Sequence, residues 1–232
     1  MSNDREHAWG ALATAAWAVL ILLISKSVEY FAFRKVFAET LLGSPYDDLN
    51  PATASSLASS AVVTAMTLFA ISLRRGSDLK TYIACNSFPW RTTWPMFAIG
   101  IAVAAVTAWV RLEPSMEPTL MDQEALIVFA LTLAFLVPAS EEIFFRGFVI
   151  TGFLNSRLLS PMAAPLSAAL WASAHAEAHW YEYAALFAFG WMLGTMRIRS
   201  RSIFPGLLLH TLNNSTAIVL DIVASHSLTN NV

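Results

Sequence analysis

Ala125–Gly147 reads ALIVFALTLAFLVPASEEIFFRG. Its first sixteen residues, Ala125–Ser140, carry no charge; Glu141, Glu142 and Arg146 then arrive within six positions. The chain returns to uncharged residues through Gly147–Asn155. About twenty apolar residues in a helix cross the hydrocarbon core of a bilayer. The stretch therefore reads as a membrane-spanning helix with an ionisable cluster set inside it. Charges at that depth are costly, face a protein interior or a water-filled cavity, and mark function by default. The remaining chain is read for helices that share such a cavity.

Composition agrees with a membrane environment. Of 232 residues, 56% are hydrophobic and 13% charged, with a mean hydropathy of +0.56. A soluble domain carries roughly a quarter charged residues. The net charge of −2 offers no basic surface for nucleic acid. A single cysteine, Cys85, rules out an internal disulfide and reads as a small apolar filler. The first apolar stretch follows a charge-mixed MSNDREH segment and ends at no small-residue cleavage site, so it is expected to be a retained span.

Charge-free windows divide the chain into seven expected spans: Ala8–Ser25, Ala52–Leu73, Thr92–Val110, Ala125 to Phe153, Leu158–Ala174, Trp180–Met196 and Ser202–Leu220. Placing the N-terminus in the cytosol puts ten of the fourteen basic residues on the cytosolic side. Among them are Arg74, Arg75, Lys80, Arg91, Arg197, Arg199 and Arg201. The positive-inside bias thus supports seven spans with a cytosolic N-terminus. The expected fold is all-α, a polytopic transmembrane helical bundle. A soft division at Pro114–Pro118 separates spans one to three (residues 1–118) from a core at 119–224, and 225–232 reads as a polar tail. Spans one to three hold no buried ionisable group, whereas the later ones hold several.

Three of those later spans carry polar residues four apart, a spacing that keeps side chains on one helix face. Glu142 and Arg146 form one such pair, while Glu141 lies about 100° round the helix. Arg146 can thus neutralise one carboxylate while the other faces elsewhere. In WASAH, Trp171 and His175 share a face, and His179 follows at the next i+4 position. In HTLNN, His210 and Asn214 share a face with Asn213 to the side.

The ordered set EExxxR, aromatic-xxx-His and His-xxx-Asn, each in a hydrophobic helix, resembles the CPBP (CAAX protease and bacteriocin-processing, or Abi) intramembrane proteases. Type II CAAX prenyl endopeptidases belong to this group. The likeness covers roughly Ala125–Leu220, with Trp171 standing where the family pattern usually has Phe. It implies packed transmembrane helices, often counted as eight, which would add a span near Tyr30–Leu42. It further implies that Glu141 is the general base for water and that His175 holds and polarises that water. His210 and Asn214 would donate to the oxyanion, while Glu142, Arg146 and Trp171 support the site. The implied substrate is a peptide or protein in the membrane, and the expected location is a bacterial inner membrane.

Two alternatives stay open. A metal-dependent version would hold a divalent ion such as zinc on Glu141, His175 and His210, although HAEAH is not the HExxH zinc-protease signature; the favoured reading has no cofactor. A non-enzymatic immunity or chaperone protein on the same scaffold is the other. A serine protease is disfavoured because Ser173 lacks a nucleophile loop, and an aspartyl protease because only Asp221 lies near a span. The absence of a repeat argues against a transporter built from two related halves.

Overall fold

The computed structural model describes residues 8–30, 51–110, 123–175 and 179–229. Every regular element among these residues is helical. In chain order they are α1 (Ala11–Ser27), α2 (Pro51–Ser72), the short α3 (Leu79–Tyr82) and α4 (Trp90–Val110). A long rod follows, made of α5 (Gln123–Leu131), α6 (Val137–Glu141) and α7 (Ile150–Leu154), joined by π-helical stretches at Thr132–Leu136 and Glu142–Val149. Then come α8 (Ala163–Ser173), α9 (Trp180–Ser200) and α10 (Phe204–Thr229).

Helices lie in all seven expected windows, with informative differences at their ends. The fifth begins at Ala163 rather than Leu158, because Pro161 holds a 3-10 turn over Ser160–Met162 and Pro165 sits in the first turn of α8. Eleven residues give α8 a length of about 16 Å, roughly half a bilayer core. At the C-terminal end, α10 runs past Leu220 to Thr229, into the segment read as a polar tail. The proposed extra span near Tyr30–Leu42 falls outside the described residues apart from Tyr30, as do residues 230–232. Among the described residues, four helices are long and apolar enough to cross a bilayer: Ala11–Tyr30, Thr53–Ser72, Leu126–Leu154 and Phe204–Val223. A shorter apolar helix spans Thr93–Val106.

The packing inverts the arrangement of a soluble protein. Leu12, Leu23, Ile99 and Val223 expose 60–89% of their surface, while Glu142 and Arg146 expose none. Apolar side chains that face outward this way suit a hydrocarbon solvent, and the ionisable cluster is enclosed by the bundle. The core around it is aromatic, with Phe144, Phe145, Phe148, Trp171 and Phe189 all buried.

Close helix approach brings the site helices together. α8 packs along α9. A Cβ at Gly190 would lie 2.8 Å from the Trp171 ring, and one at Gly194 would lie 3.1 Å from the Ala164 Cβ. Gly190 and Gly194 form a G-xxx-G face against Ala164 and Ala168, the small-residue arrangement by which membrane helices pack. Ser167 Oγ also donates to the Phe145 carbonyl at 2.9 Å, tying α8 to the second π-helical stretch. The start of the chain is pinned to the same body. Trp9 Nε1 donates to the Ala70 carbonyl at 2.8 Å, and Asn155 Nδ2 to the Ala8 carbonyl at 3.1 Å.

Candidate active site

The first irregularity near the cluster follows from Pro138. A proline has no N–H to donate and crowds the preceding turn. The turn ahead of it, Thr132–Leu136, widens to π geometry, and the Val137 N–H reaches back to the Thr132 carbonyl. The Leu133 carbonyl thus loses the donor four residues on, while the residue five on is Pro138. Asn214 of α10 fills the gap, its Nδ2 donating to the Leu133 carbonyl at 3.0 Å. Single-turn π insertions in helices occur frequently at functional sites. Here the second one, Glu142–Val149, carries the charged cluster.

Glu142 and Arg146 form the expected ion pair, Nη1 to Oε1 at 3.1 Å, with both side chains fully enclosed. The guanidinium has further partners from other helices. Its Nη2 donates to the Gly190 carbonyl at 3.4 Å, and its carbon sits 4.9 Å from the centre of the Trp171 ring. A cation over an indole face is attracted by the ring quadrupole. Glu142 also accepts from His210: Nδ1 lies 3.1 Å from Oε1. The carboxylate can only accept if ionised, so that nitrogen carries the proton. Gly206 leaves room beside this carboxylate, since a Cβ there would lie 3.0 Å from Glu142 Oε2.

Glu141 faces differently, as the helix geometry requires. Its Oε2 accepts from Trp171 Nε1 at 2.6 Å and stands 3.7 Å from His210 Nε2. Its side chain is 20% exposed where that of Glu142 is at zero. Among the described residues, no protein donor reaches its Oε1. Glu141 is therefore the accessible carboxylate of the pair, with one oxygen fixed and the other open.

Trp171 is the hub of the arrangement. It donates to Glu141 and lies under Arg146, and its own carbonyl faces His175 Nδ1 at 2.9 Å. A carbonyl only accepts, so Nδ1 of His175 carries the proton and Nε2 presents a lone pair. Edge contacts place the Trp171 ring 4.7 Å from His175 and 5.5 Å from His210, centre to centre. Tyr183 adds a hydroxyl donor to the His175 carbonyl at 3.2 Å, steadying the end of α8 against α9.

The expected site residues accordingly fall into a connected set. Glu141, Trp171 and His210 touch directly; His175 joins through Trp171, and Glu142 and Arg146 through His210 and Trp171. Asn214 lies one turn beyond His210 on α10 but spends one amide proton on Leu133. His179 and Glu182 stand apart from this set: the Glu182 carboxylate accepts from the His179 N–H at 2.8 Å and caps α9. No three His, Cys, Asp or Glu side chains among the described residues are spaced to hold a metal ion. Gly190 was not anticipated as a site contributor, although the G-xxx-G spacing in a hydrophobic helix is a readable signal of close approach.

No curated protein and no solved structure matches the chain. A family model does match, over the helices that build the cluster: it covers residues 123–216 and is described as type II CAAX prenyl endopeptidase Rce1-like. Those residues run from the start of α5 into α10 and include each of the site positions described above. Residues 123–216 are thus similar to the Rce1-like type II CAAX prenyl endopeptidases, the group that the three motifs resemble.

Proposed function

We propose that the chain is an intramembrane endopeptidase that hydrolyses a peptide bond of a membrane-associated or lipidated substrate with a water activated by Glu141. The observation that carries this reading is the asymmetry of the two carboxylates. Glu142 is sealed against Arg146 and His210, whereas Glu141 keeps an open oxygen beside the Trp171 N–H and the Nε2 of His210. A base must reach the proton it removes within hydrogen-bond distance, and Glu141 is the accessible candidate.

In the reaction, Glu141 takes a proton from water as the oxygen attacks the carbonyl carbon. The C–N bond then breaks, and the same proton passes to the leaving amine. His175 holds the water through its Nε2 lone pair. His210, protonated on Nε2 as well as on the Nδ1 that Glu142 holds, and the second amide proton of Asn214 donate to the oxyanion as charge develops, the role that preorganised donors play in acyl transfer. Glu142 and Arg146 fix the orientation of His210 and Trp171. We read the chemistry as metal-free. Trp171 engages one oxygen of Glu141, and the family likeness brings no zinc-protease signature with it.

The bundle is read as seven spans with a cytosolic N-terminus in a bacterial inner membrane. Residues 119–224 form its catalytic part. The partners are the bilayer and a peptide or protein within it. Comparative peptidomics of membranes tests the function. Peptides that accumulate with Glu141→Ala and vanish with the parent protein are the expected substrates; an unchanged peptide population with full cellular function retained favours the non-enzymatic alternative. Chelation of the purified protein tests the cofactor reading, and loss of activity restored by zinc would overturn it.

A further inference from the structure

A second polar site lies at the far end of the bundle. Thr151 is ten residues after Glu141, about 15 Å along the rod. There a cavity of about 370 Å³ opens between the α2–α3 turn, α7 and the end of α9, and Arg197 is one of its lining residues. Arg197 is 7% exposed. Its Nη2 donates to Thr151 Oγ1 at 3.2 Å, its Nε has no partner, and no carboxylate pairs with it among the described residues. The acidic group on the wall, Asp78, is engaged elsewhere: it caps α3 by accepting from the Thr81 N–H at 2.8 Å.

A buried guanidinium facing only a neutral hydroxyl is costly unless an anion completes it. The cavity supplies what an oxyanion needs. Ser77, Thr81, Asn86 and Thr151 make its wall polar, and Arg201 is a second guanidinium on it. The Ser77 and Thr151 hydroxyls and one Asn86 amide proton are spent on backbone carbonyls, so the Arg197 fork is the principal donor. The surrounding chain is basic, with Arg74 and Arg75 after α2, Lys80 in α3 and Arg199 in α9. Arginine matches the geometry of phosphate through its fixed fork of donors. The cavity lies where membrane helices end, the level at which basic pockets take anionic headgroups.

We propose that this cavity binds a phosphate group, carried by an anionic phospholipid or free in solution, with Arg197 as its buried counter-charge. The site is separate from Glu141 and uses none of the residues assigned to hydrolysis.

The test is thermal unfolding of the purified full chain in detergent, with short-chain phosphatidylglycerol, diacylglycerol or inorganic phosphate added. Ligand that binds only the folded state raises the melting midpoint. A rise of about 5 °C with phosphatidylglycerol and none with diacylglycerol is expected at saturation. An accompanying rise with inorganic phosphate assigns recognition to the phosphate alone; its absence assigns it to the whole lipid. Arg197→Gln should abolish the shift, and Arg197→Lys, which keeps the charge without the fork, should leave a smaller one. No shift with either phosphate source, or the same shift with diacylglycerol, overturns the proposal. So does an undiminished shift in folded Arg197→Gln. The wild-type arms decide even if that variant does not fold.

Discussion

Removing Arg146 is the most informative perturbation of the fold around the site. Both members of its pair with Glu142 are fully buried and 3.1 Å apart. Arg146→Met leaves the Glu142 carboxylate with His210 Nδ1 as its only described partner, since its Oε2 has none. Stranding one charge of a buried pair costs about 3–5 kcal/mol. The lost cation–π contact to Trp171 adds to it, at about 2 kcal/mol for a desolvated site. Replacing both partners is different, because two apolar side chains of similar volume leave no orphaned charge. Glu142→Leu/Arg146→Met is therefore expected to cost clearly less than Arg146→Met alone, what remains coming from the lost cation–π contact and the lost acceptor for His210. Reversible unfolding in mixed detergent micelles measures all four members of the cycle. Strong coupling between the two single changes is predicted. Additive effects, or a single Arg146→Met cost below about 1 kcal/mol, would refute the account of the pair as a buried brace.

Three further outcomes follow from other parts of the structure. Asn214→Leu orphans the Leu133 carbonyl and should cost about 1–3 kcal/mol. In a Pro138→Ala background, where a backbone N–H is restored, that cost should shrink; an equal cost in both backgrounds would contradict the repair role. Gly190→Ala drives a methyl toward the Trp171 ring at 2.8 Å and should lower activity and shift tryptophan fluorescence, whereas Gly10→Ala, with nothing within 4 Å, should do neither. The Tyr82 phenol is pushed up to about 12, chiefly by burial, from an unfolded value of about 10. Its folded form therefore favours the proton. The stability it contributes is complete below about pH 10 and is lost as pH rises through about 12. Tyr82→Phe should flatten that alkaline loss in unfolding measurements, and an unchanged alkaline arm would count against it.

Much of the architecture was legible because a bilayer simplifies sequence reading: the charge-free windows coincide with helices. Their ends were less legible. Pro161 and Pro165 shorten α8 through local backbone effects that hydropathy ignores, and α10 continues through Asp221 because one charge at a helix end does not stop a helix. The i+4 pairs gave the connected site directly, since helical spacing fixes which face a side chain occupies. The different facing of Glu141 and Glu142 was likewise readable from the 100° step. What spacing did not reveal was tertiary. Trp171 as donor to Glu141, and Gly190 as the carbonyl under Arg146, depend on how closely α8 and α9 approach. The assignment of Asn214 to a carbonyl orphaned by Pro138 depends on a π turn. Buried Arg197 looked like a cytosolic charge because its place at a span end gives no hint of the cavity beside it.

The central claim is that Glu141 activates water for peptide-bond hydrolysis. Its most direct test is the turnover of a peptide found to accumulate in Glu141→Ala membranes, using purified wild-type protein and Glu141→Gln in the same detergent. The amide keeps the size of the side chain but cannot take a proton, so the rate should fall by about 10²–10⁴-fold while the melting midpoint stays close to that of the wild type. Turnover by folded Glu141→Gln at the wild-type rate would contradict the account.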